Sequence, residues 1–184
     1  MKKIAIVLIA IFVLGASAFA GDMAKSGSWG IQTSLGVGTS PLASEVSISS
    51  IGLKFMASEN LAIRVKAGFT SYTPSVLTGS TSNSASGYEF AGGFEYHMTG
   101  VGSVSPYVGA QFGYGGESLP SGGTNVSNWD VVGVFGGEYF FSSNFSWAGE
   151  VGIGYANFGA ASGYDAAHAF GTTSATMIFS WYLN

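Results

Sequence analysis

Between residues 61 and 72 the chain alternates without a break. Leu61, Ile63, Val65, Ala67 and Phe69 fall on one parity; Ala62, Arg64, Lys66, Gly68, Thr70 and Tyr72 fall on the other. Period two over this length predicts a β-strand with one apolar and one polar face. A helix would set Arg64 and Lys66 about 200° apart and scatter the apolar residues round its circumference. Lys54, Glu95, Glu138 and Glu150 sit on the polar parity of four further strand-like segments. Opposite charges on one face of many strands can meet if the sheet closes around them. The pattern therefore predicts a small barrel, apolar outside and ionic within.

Composition points the same way. Charged residues make up only 9% of the chain, against roughly 25% in soluble domains, and the mean hydropathy is +0.35. Yet after residue 20 no continuous apolar run reaches the length of a transmembrane helix. Hydrophobicity dispersed at alternate positions is what a membrane β-barrel needs. The 29 glycines, many inside strand-like segments, suit tight curvature and a crowded lumen. With no cysteine, closure and burial must supply the stability. The formal net charge of −4 argues against a nucleic-acid partner. At the N-terminus Lys2 and Lys3 precede an apolar run, residues 4–14, and Ala18-Phe19-Ala20 forms an Ala-x-Ala cleavage site. This predicts a signal peptide over 1–20 and one barrel domain over 21–184.

Eight strands are predicted, at Trp29–Val37, 46–56, Leu61–Tyr72, 87–98, 106–114, 128–141, Phe145–Phe158 and 169–183. A parity change inside the second predicts a bulge near Ser49–Ser50. In the last, Thr172, Ser174, Thr176 and Ser180 are expected to face inward. Long connections at 39–45, 73–86, 115–127 and 159–168 alternate with short ones, the rhythm of a membrane barrel whose short turns and termini share one side. Eight strands leave an interior filled by side chains. Phe55, Tyr96, Tyr139, Phe141, Trp147 and Trp181 lie beside the short turns. Phe69, Tyr88, Phe90, Tyr114, Trp129 and Tyr155 lie towards the long loops. Two such rings match the two interfaces of a bilayer.

The layout, the strand ends Gly-Gly-Phe-Glu-Tyr (92–96) and Gly-Gly-Glu-Tyr-Phe (136–140), and the aromatic last strand carry a resemblance. Over residues 27–184 the chain resembles the small eight-stranded outer-membrane barrels: the OmpA transmembrane domain, OmpX and Ail, and the opacity-type surface proteins. The resemblance implies a monomeric, all-β, antiparallel up-and-down transmembrane barrel in the outer membrane. Its partners would be outer-membrane lipids and the assembly machinery that reads a C-terminal aromatic strand. Here Phe179, Trp181 and Leu183 keep the alternation and Asn184 takes the last place.

The candidate site is the lumen, where Lys54, Arg64 and Lys66 face Glu95, Glu138 and Glu150. Buried charges are tolerable when paired and hydrogen-bonded, so an ionic plug that fixes register and blocks conduction is expected. The alternative is a gate or narrow pore for ions or small solutes. A lipid-modifying enzyme would need serine, histidine and carboxylate together. Ser174, His168 and Asp165 are near in sequence, but no Gly-x-Ser-x-Gly elbow exists, and no enzyme is expected. His97 is read as a solvated turn-end residue and His168 as a loop residue. Two distant histidines and no cysteine call for no metal or cofactor. The polar, weakly charged outer loops suit binding of a surface ligand, an adhesin-like role on a structural barrel.

Overall fold

The computed structural model describes residues 24–37, 50–72, 85–98, 102–118, 126–160, 165–173 and 175–183. The signal segment, the first half of the second predicted strand with Ser49, and most of the long connections lie outside them. Extended runs form β1 (Trp29–Val37), β2 (Ser50–Met56), β3 (Leu61–Tyr72), β4 (Ala85–His97), β5 (Val104–Ser118), β6 (Val126–Ser142), β7 (Phe145–Phe158), β8 (Ala167–Thr172) and β9 (Ala175–Leu183). Successive runs from β1 to β7 pair antiparallel, β7 pairs with both β8 and β9, and β9 returns to β1 from Trp29↔Leu183 to Val37↔Ala175. β8 and β9 are thus two halves of one stave, and the molecule is a closed eight-stave antiparallel barrel.

The break in that stave is a bulge. Residues 150 and 153 of β7 are three apart, but their partners, Thr176 and Thr172, are four apart. One extra residue on a strand inverts the inward and outward sets beyond it. Phe170 in β8 and Trp181 in β9, of opposite parity, both face outward. Thr172, expected to face the lumen, is exposed opposite Ile153. His168 belongs to strand β8, where its ring stacks on Tyr155 at 6.0 Å.

β5 and β6 are longer than their alternation suggests. The glycine-rich stretch read as the start of a loop continues β5 to Ser118, laddered to β4 and β6 on both sides. Fifteen and seventeen residues exceed the roughly 9–11 needed to cross a bilayer.

Inward glycines face the large inward side chains. Arg64 is paired with Gly93, Lys66 with Gly52, Glu95 with Gly109, Tyr107 and Glu150 with Gly136, and Tyr182 with Gly30. A barrel of this girth has no room for bulk on neighbouring inward positions. At the end carrying the short turns, Met56, Ala62, Phe140 and Tyr182 form an apolar floor with Ala24. The segment before β1 is tied there by Gly27 N–H donating to Met56 O (2.7 Å) and Met56 N–H donating to Ser28 O (3.0 Å). Gly27 has φ +87°, a conformation open to glycine, and it turns the chain across the mouth.

Candidate functional site in the lumen

Alternation places Lys54 on β2 and Arg64 on β3 directly opposite each other. Two like charges so paired repel unless carboxylates come between them. Glu95 on β4 does so: its Oε2 lies 2.6 Å from Lys54 Nζ and its Oε1 lies 2.8 Å from Arg64 Nη1. Each cation then has a second carboxylate from the far wall. Glu138 on β6 is 2.7 Å from Lys54, and Glu150 on β7 accepts from Arg64 Nη1 at 2.6 Å and Nη2 at 3.1 Å. The chain of pairs crosses the barrel, and Lys54, Glu95 and Glu138 are each 1% exposed.

Neutral groups complete the plug. The Tyr182 hydroxyl donates to Glu138 Oε1 at 2.8 Å, and the Ser146 hydroxyl donates to the same oxygen. Tyr107 donates to Glu150 at 3.1 Å, and Arg64 Nη2 donates to Gln111 Oε1 at 3.1 Å. Charge-assisted hydrogen bonds of this kind are the strong ones, and they tie the walls together although the buried Arg64 Nε has no partner among the described residues.

Lys66 stands apart from this set. It faces the lumen nearer the loop end, half-exposed, 3.6 Å from Glu89. Five of the six predicted charges therefore meet and the sixth does not. Sequence reasoning missed His97. It is 3% exposed, not solvated; its Nδ1 lies 2.9 Å from Ser105 Oγ, and its Nε2 lies 3.1 Å from Glu95 and 3.2 Å from Lys54. Its shared parity with Glu95 was the available signal. Tyr107 and Tyr182 were visible as inward residues but given no role.

The predicted interface aromatics Tyr96, Trp181, Tyr88, Trp129 and Tyr155 are exposed on the outward face, and Phe55 and Trp147 are half-buried there. Tyr139 is different. It is 7% exposed and lies edge-on under Phe141 at 4.8 Å. The turn-end ring runs through Trp29–Phe55 and Phe141–Phe145–Trp181. The loop-end ring runs through Phe112–Trp129–Tyr155.

Two chemistries are worth testing against this geometry. Glu95, His97 and Glu138 each offer a donor atom within 4.8 Å of the others, as a metal site would. The Lys54 ammonium sits among them at 2.6, 3.2 and 2.7 Å, so the cation they hold is the protein's own. Ser105, His97 and Glu95 have the order of a nucleophile, base and orienting acid. All three are buried to 3% exposure or less, and Glu95 is already committed to two cations. Ser174, one member of the grouping suggested by sequence, lies outside the described residues. Among the described residues a cavity lined by Gln32, Ser34, Ser50, Arg64 and Lys66, on the loop side of the plug, holds about 20 Å³, room for a water molecule. The buried arrangement holds charge against charge.

No family model and no curated protein matches the chain. Solved structures similar over most of its length include two outer-membrane proteins. The outer membrane protein OprG from Pseudomonas aeruginosa is 14% identical with a TM-score of 0.52, over 90% of this chain and 99% of that one. The outer membrane protein AlkL, in lipid bilayers, is 12% identical with a TM-score of 0.53, over 91% and 94%. The chain has the fold of the small outer-membrane barrels. At such identities the likeness is one of architecture.

Proposed function

We propose that this chain is an outer-membrane protein whose barrel is closed by its own ion pairs and serves as a rigid scaffold presenting its long connections at the cell surface. A signal peptide over 1–20 would export it, and the assembly machinery would insert it as a monomer among outer-membrane lipids. The observation that carries this reading is the plug: five charged side chains spanning the lumen from β2 to β7, paired and buried. The apolar floor beneath it and the outward rings of aromatic residues support the same reading. The half-exposed apolar staves would otherwise face water, whereas lipid favours them. The long connections would carry any surface ligand, which is the adhesin-like part of the reading.

The test is planar-bilayer recording on refolded protein, with Lys54→Ala/Tyr182→Ala as the opened control. Silent wild type with a conducting double variant supports the scaffold. Steady wild-type current would make the barrel a narrow pore.

A further inference from the structure

We propose that a groove on the outward side of β4, β5 and β6, at the loop end, binds the uncharged saccharide headgroup of a glycolipid in the outer leaflet. This rests on the membrane-spanning reading above but uses neither the lumen nor the long connections.

The groove holds about 250 Å³ and is lined by Ser86, Tyr88, Gly116, Glu117, Ser118, Val126 and Ser127. That is below the roughly 300–1,000 Å³ of sites for drug-sized ligands and suits a single sugar ring. Ser86, Tyr88, Gly116, Ser118 and Ser127 share the outward parity, fixed by Ser86↔Ser118, Tyr88↔Gly116 and Gly116↔Ser127. The next outward pair towards the turn end is Tyr114↔Trp129, part of the aromatic ring that marks a bilayer interface. The groove therefore opens at headgroup height.

Its chemistry selects the ligand. The Tyr88 ring lies across Gly116, where an added Cβ would come within 2.9 Å of the phenol oxygen. Glycine there lets the ring lie flat as an apolar platform with a hydroxyl at its rim. The Ser86 and Ser118 hydroxyls are 2.9 Å apart, and Ser86 N–H donates to Ser118 Oγ at 3.0 Å, so both hydroxyls are held in place. Serine and tyrosine hydroxyls donate and accept, as sugar hydroxyls do. Glu117, on the opposite parity and paired with Val126, lines the groove as an acceptor only, and among the described residues no lysine or arginine lines it. A phosphate would meet a carboxylate and no cation.

The experiment follows backbone amide shifts of the protein in phosphatidylcholine nanodiscs. Three probes are added at matched concentration: monoglucosyl diacylglycerol, phosphatidylglycerol and free glucose. The expected result is saturable shifts at Tyr88, Gly116, Ser118 and Ser127 with the glucosyl lipid alone. Tyr88→Ala should weaken them about tenfold, and Glu117→Lys should bring in phosphatidylglycerol. Equal shifts with phosphatidylglycerol, equal shifts with free glucose, or shifts spread evenly over the outward face each overturn the proposal. Failure to enter the nanodisc overturns the membrane reading and the groove with it; entry without groove shifts overturns the groove alone.

Discussion

Lys54 and Glu95 are both buried in the plug and paired with each other, yet their loss should cost different amounts. Glu95 bridges two cations that each keep another partner, Glu138 for Lys54 and Glu150 for Arg64. Glu95→Gln therefore leaves no charge unpaired, and we expect a loss of about 1–3 kcal/mol. Lys54→Met leaves Glu138 with the Tyr182 and Ser146 hydroxyls and the more distant His97 ring, without its lysine, and should cost about 3–5 kcal/mol. Urea unfolding of the barrel in vesicles ranks the two; equal losses would contradict the bridging role of Glu95. Gly136 makes a second residue-scale prediction. A Cβ there would meet the Tyr107 ring at 2.5 Å and Gly149 O at 2.7 Å. Gly136→Val should destabilise by about 1–3 kcal/mol, and adding Tyr107→Leu should recover part of it.

At the scale of the strand, the bulge between β8 and β9 can be read out by cross-linking. Ile153 faces Thr172; a stave without the bulge would set it against Thr173. Opposed outward positions in an antiparallel pair bring Cβ atoms to about 4.5–5.5 Å, within reach of a disulfide after small adjustment. Cysteines at 153 and 172 should oxidise readily, and cysteines at 153 and 173 should not; the reverse yield would remove the bulge. The strands were legible where alternation is regular, as in β3 and β7, because a half-buried sheet writes its faces directly into sequence. The bulge was not, since Thr172, Thr173 and Thr176 suit either face. The extension of β5 through Gly113, Gly115 and Gly116 was hidden for a related reason. Glycine carries no face, and its place in the strand is decided by partners on β4 and β6.

For the whole molecule, closure is the feature on which the rest depends. β1 is laddered to β2 on one side and β9 on the other, and Gln32 sits in the middle of both ladders. Proline there removes a donor and clashes with the ladder, so Gln32→Pro should abolish the fast-migrating unboiled band that wild type gives on detergent gels. An unchanged band would mean that β1 is dispensable to the closed form. The plug was half legible at this scale. Parity gave the inward charges, but the burial of His97 depends on partners from other strands, Lys54 on β2 and Ser105 and Tyr107 on β5, and such distant packing leaves no periodic trace.

The bulge has one more consequence. Strands of this barrel are written in a two-letter code, and the last stave changes reading frame part-way along. A mutational scan should find apolar side chains tolerated at even numbers from 168 to 172 and at odd numbers from 175 to 183. Polar ones should be tolerated in the complementary sets, the buried Ile178 and Tyr182 apart, so that the same substitution two turns of the pleat apart is neutral at one place and ruinous at the other.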